Sequence, residues 1–88
     1  MPIISSFYGI LIKMYFGDHY PPHFHADYNE FSAQIRIDDF GIDKGKLPPK
    51  ALALVVEWAS LHKEELEKNW ESLSESGNGT SHKIEPLK

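Results

Sequence analysis

Two segments of this chain alternate apolar and polar residues with a period of two, and only one segment has the pattern of a helix that could cover them. Residues 23–28 set Phe24, Ala26 and Tyr28 against His23, His25 and Asp27. Residues 31–37 set Phe31, Ala33, Ile35 and Ile37 against Ser32, Gln34 and Arg36. Side chains alternate across a strand, so each segment offers one apolar face. Asn29-Glu30 between them predicts a hairpin with a two-residue turn. That turn puts Tyr28 opposite Phe31, His25 opposite Gln34 and His23 opposite Arg36. Residues 8–16, rich in β-branched and aromatic side chains and closed by Gly17-Asp18, read as a further strand. Its core face holds Ile10, Ile12, Met14 and Phe16, and its other face Gly9, Leu11, Lys13 and Tyr15.

Gly41 to Gly45 reads as a turn or short irregular excursion. Lys46-Leu47-Pro48-Pro49 is a helix entrance, because proline is tolerated in the first turn. One long helix over about 49–73 follows, with apolar positions 52, 55, 59, 66, 70 and 73 in three- and four-residue steps. Residues 76–82 read as a flexible spacer, and 83–88 as a tail that returns to the sheet edge as a short strand. The expectation is an α+β fold in a single domain spanning 1–88: a small three-stranded antiparallel sheet (about 8–16, 23–28, 31–37) with one helix on one face. In 88 residues nothing else remains to cover the second face. It should lie open or be buried against another copy or a small partner protein.

Charge and composition narrow the function. Nine basic against thirteen acidic side chains give −4, which argues against a generally basic nucleic-acid binder but leaves room for a local basic patch. RNA is therefore a weakly supported partner. The acid concentrates after residue 56, on the second half of the helix, as a solvated face or a docking face for a basic partner. There is no cysteine, so disulfides and thiolate metal sites are excluded. The longest apolar runs, Ile10–Ile12 and Ala51–Val56, are too short to span a membrane, and the N-terminus lacks the pattern of a secretory signal. The expected location is cytoplasmic.

Five histidines are the compositional oddity, three of them within Asp18-His19-Tyr20-Pro21-Pro22-His23-Phe24-His25. His23 and His25 lie two apart on a strand, so they share a face roughly 6–7 Å apart at the backbone. His19 could fold back across the stiff double proline as a further ligand, and Asp18 or Asp27 could add an oxygen. Such a set suits zinc, nickel or iron. A second reading is a phosphodiester-acting, RNase-like enzyme. It would use His23 or His25 as general acid or base, with Lys13 and the single arginine, Arg36, holding the phosphate. Tyr15, Asp27 and Gln34 complete the polar face as binding residues. A third reading is structural: the histidines hydrogen-bond across the sheet and shape the loop. His62 continues the helix stripe and reads as a partly buried, satisfied residue, His82 as a surface one. Trp58 and Trp70 read as core anchors.

Several blocks are recognisable together. They are Ser5-Ser6-Phe7-Tyr8-Gly9-Ile10, Met14-Tyr15-Phe16, Asp18 to Ala26, Gly45-Lys46-Leu47-Pro48, Ala51 to Ala59, His62, Glu65-Leu66, Asn69-Trp70 and Ile84-Glu85-Pro86-Leu87. The chain resembles the bacterial family catalogued as domain of unknown function 4160. That resemblance implies no assigned catalytic residues. It implies a small protein that is one half of a two-gene arrangement, such as a toxin–antitoxin-like or regulatory pair. The leading expectation is an interaction module of such a pair, binding its partner through the open, histidine-bearing sheet face or an edge strand, with the RNase-like and metal-binding readings as alternatives.

Overall fold

The computed structural model describes residues 3–74, 77 and 79–88. Positions 76 and 78 of the expected spacer, and Met1 and Pro2 of the N-terminal segment, lie outside them. Five strands, β1 (Ile3–Phe7), β2 (Ile10–Lys13), β3 (His23–Tyr28), β4 (Phe31–Arg36) and β5 (Ile42–Lys46), form one antiparallel sheet in chain order. Two helices follow, α1 (Pro49–Leu61) and α2 (Lys63–Leu73). This α+β arrangement corrects the expected three strands and single long helix in three places.

First, the segment 8–16 is not one strand. Tyr8 (φ 50°) and Gly9 (φ 80°) both sit in the left-handed region, the geometry of a tight hairpin turn between Phe7 and Ile10. The strand then stops at Lys13, and Phe16 is exposed rather than packed in the core. Second, the excursion before the helix contains β5, an edge strand whose Asp43 to Lys46 are exposed. Third, the helical stripe breaks at His62 (φ −127°, ψ 26°), so its two halves are separate helices. Among the described residues, no helix is long and apolar enough to cross a membrane.

The β3–β4 pairing has the expected register: Tyr28 faces Phe31, His25 faces Gln34 and His23 faces Arg36. Ile10, Ile12, Phe24, Ala26, Ala33 and Ile35 are buried on one sheet face, with Val55, Trp58 and Ala59 of α1 and Leu66, Trp70 and Leu73 of α2 in the same core. The helix entrance is as read, with Pro48 as the N-cap residue and Pro49 at the first helical position.

The C-terminal residues do return to the sheet edge, without forming a strand. The Ile84 N–H donates to the Ile4 carbonyl at 2.8 Å, and the Trp58 indole N–H donates to the Glu85 carbonyl at 2.8 Å. Asn69, fully buried, donates to the His82 carbonyl and accepts from the His82 N–H, both at 2.9 Å. A buried side-chain amide satisfied twice by one backbone residue closes the tail over the core.

Candidate metal centre

The loop between β2 and β3 brings Asp18 back over the start of β3. Gly17 (φ 71°) donates its N–H to the Leu73 carbonyl at 2.8 Å, tying this loop to the end of α2. Asp18 Oδ1 accepts the backbone N–H of His19 at 2.9 Å, which leaves Oδ2 for the histidines. Tyr20-Pro21 is a cis peptide, and Pro22 leads directly into β3.

His23 and His25 reach Asp18 from one side of β3. His25 Nε2 makes a hydrogen bond with Asp18 Oδ2 at 3.1 Å. His23 Nε2 is 3.0 Å from the same oxygen but is not aligned for a hydrogen bond, and it is buried with no other partner among the described residues. The opposite nitrogen settles its proton. His23 Nδ1 lies 2.7 Å from the Pro21 carbonyl, and a carbonyl can only accept, so Nδ1 carries the hydrogen. In the neutral ring, Nε2 is then a bare lone pair facing a carboxylate oxygen.

Packing holds these rings in place. The Trp70 indole lies against His23 with 5.2 Å between centroids, and Tyr20 packs edge-on against Trp70. Tyr15 meets His25 edge-on at 4.7 Å, and the His23 and His25 rings are 5.0 Å apart. His23 is on the polar face by alternation yet is only 2% exposed. Partial burial pushes the Asp18 carboxyl up, but the hydrogen bond with His25, the His19 N–H and, in their protonated forms, the His23 and His25 rings outweigh it. The result lies below the ordinary carboxylate value.

Asp18, His23 and His25 each present one ligand atom, all within 4.8 Å of one another. Two imidazoles and one carboxylate are a sufficient set for a divalent transition metal, and three protein ligands leave further coordination positions for water or a ligand.

The other nominated residues go elsewhere. The His19 side chain is 69% exposed, with Nδ1 3.3 Å from Asp18 Oδ1, and is outside the triad. Asp27 pairs with Lys13 at 2.6 Å and accepts from the Ser32 hydroxyl at 2.8 Å, so Asp18 rather than Asp27 is the carboxylate at the site. Arg36 is occupied by Asp39 at 3.0 Å and Asp43 at 2.5 Å. Those contacts hold its pKa up and the Asp39 carboxyl down. Gln34 stays opposite His25. His62 is half-buried beside Trp58 and bonded to Glu65, and His82 is exposed, both as read.

Two contributors escaped the sequence reading. The Pro21 carbonyl sets the His23 tautomer, and Trp70 walls the site. The double proline marked a stiff turn, but no pattern in one sequence points a carbonyl at a ring.

A family model described as Domain of unknown function (DUF4160) matches residues 9–71, which takes in the loop, both histidines and most of α2. No curated protein and no solved structure matches the chain.

Proposed function

The chain belongs to the DUF4160 family, and from its loop geometry we propose that it binds one divalent transition metal ion, zinc, nickel or iron, through Asp18, His23 and His25. One observation carries this reading: the buried, unpartnered His23 Nε2 stands 3.0 Å from a carboxylate oxygen. With the His23 ring neutral, two acceptor lone pairs at that distance repel, and leaving a buried polar atom unpaired costs about 1–3 kcal/mol. A cation between them removes both penalties. His25 Nε2, hydrogen-bonded to the same oxygen, supplies a third ligand atom within 4.8 Å of the other two.

The phosphodiester reading loses its named phosphate holders, because Lys13 and Arg36 are both engaged by carboxylates. Elemental analysis of protein purified without a histidine tag tests the metal reading. About one equivalent of metal supports it. Sub-stoichiometric metal, with no thermal shift on adding zinc, nickel or iron(II), would sink it.

A second reading, a partner-binding module of a toxin–antitoxin-like gene pair, has exposed aromatics in its favour. Phe16 and Tyr20 are 62% and 73% exposed and flank Asp18 on the same loop. Light scattering of the protein alone and with its neighbouring gene product tests it; a strict monomer that ignores its neighbour removes the support.

A further inference from the structure

The Gly45-Lys46-Leu47-Pro48 block stands apart from the metal triad, and the sheet register shows where it leads. Gln34 pairs with Lys44, Ala33 with Gly45 and Ser32 with Lys46. Ala33 points into the core, so Lys44 and Lys46 share the face that carries His25 and Asp27. Gly45 (φ 77°) makes this approach possible: a Cβ there would collide with the Ser32 carbonyl oxygen.

The charges on this face are unevenly matched. Lys13 is spent on Asp27, and Arg36 on Asp39 and Asp43. Lys44 and Lys46 are exposed, and among the described residues neither has an ion pair. Asp18 is the single negative charge of the triad, so a divalent ion there would leave net positive charge and open coordination positions. Strand spacing puts Lys44 about 10 Å from His25 across the sheet, within reach of a long side chain. Lys46 is one side-chain step, roughly 7 Å, further along.

We infer that β5 is the anion-holding arm of this site: with a divalent ion on Asp18, His23 and His25, Lys44 holds a phosphate group bound at that ion, and Lys46 holds the next phosphate of the same ligand. The inference rests on the metal reading. A phosphate group has oxygens to meet a metal ion and an ammonium together, and a phosphodiester chain carries a second such group on to the second ammonium. Ammonium side chains are compact point charges suited to such contacts.

The test uses zinc-loaded protein and its Lys44→Gln and Lys46→Gln variants, with inorganic phosphate and a three-nucleotide uridine RNA as probes. Zinc affinity is measured beside each. Lys44→Gln should weaken both probes by about tenfold, the worth of one charge-assisted contact. Lys46→Gln should weaken only the RNA, and zinc affinity should not move. Unchanged binding of both probes by Lys44→Gln would overturn the inference. Equal RNA binding by Lys46→Gln would overturn the two-phosphate form of it. If zinc does not bind, the metal reading fails by itself. The lysine contribution is then read on metal-free protein, where no loss of phosphate or RNA affinity in either variant overturns it too.

Discussion

His23 Nε2 and Asp18 Oδ2 lie 3.0 Å apart in a buried setting, without the alignment of a hydrogen bond. The Pro21 carbonyl holds the only hydrogen of the neutral ring on the far side, at Nδ1. A second proton on the His23 ring or a metal ion must therefore reconcile the two atoms, and the convergence of three ligand atoms within 4.8 Å of one another favours the metal.

The contact of the Trp70 indole with the tilted His23 ring supplies an optical readout. Zinc binding should change tryptophan fluorescence. Trp70→Phe should remove that change and keep about one equivalent of zinc. His19→Ala should alter neither, because that ring lies outside the triad. Stopped zinc binding in His19→Ala would show that the loop ligates in another arrangement.

The Lys13–Asp27 pair predicts a limb of acid sensitivity. The hydrogen bond from Lys13 holds the Asp27 carboxyl below its ordinary value, despite burial that pushes it up. A depressed carboxyl contributes stability above its unfolded value, about 3.9, and loses it as pH falls through the lowered folded value. Lys13 is raised by the same contact, so it stays charged through this window and its own limb lies above the ordinary lysine value. Asp27→Asn should thus be less stable than wild type near pH 7, with the gap closing below about pH 4. Urea unfolding at stepped pH checks this, and a gap constant down to pH 2 refutes it.

Closure of the tail depends on Asn69. Its amide satisfies both backbone groups of His82 from a buried position. Asn69→Ala should cost about 1–3 kcal/mol in chemical denaturation, through a cavity and two unpaired backbone groups. Amide exchange at Ile84, which bonds to Ile4, should speed up in the same variant.

Gly45→Ala should destabilise the protein by about 1–3 kcal/mol, from positive φ and contact with the Ser32 carbonyl. Gly17→Ala is a useful comparison: its φ is also positive, but nothing lies within 4 Å of the added methyl. It should be the milder of the two in thermal unfolding.

The polar and apolar faces of β2 to β4, the β3–β4 register and the pairing of His23 with His25 were all legible in the alternation. β1 was not, because a bulge between Ile3 and Ser5 puts Ile4 and Ser5 both inward and breaks period two. β5 was not, because Ile-Asp-Lys-Gly-Lys on an exposed edge carries almost no apolar signal. The break at His62 has no proline or glycine to announce it; the His62 N–H bonds to the Ala59 carbonyl and closes α1, and the His62 carbonyl accepts from the Leu66 N–H and opens α2. At the site, strand spacing found the two histidines, but Asp18 over Asp27, and the neutralised Arg36, depend on loop geometry that spacing does not encode.

Calorimetric titration of chelator-stripped, untagged protein with zinc tests the central claim most directly. Wild type should take up one equivalent, and Asp18→Asn and His25→Ala should take up none while remaining folded. No binding by wild type, or undiminished binding by Asp18→Asn, would contradict the account.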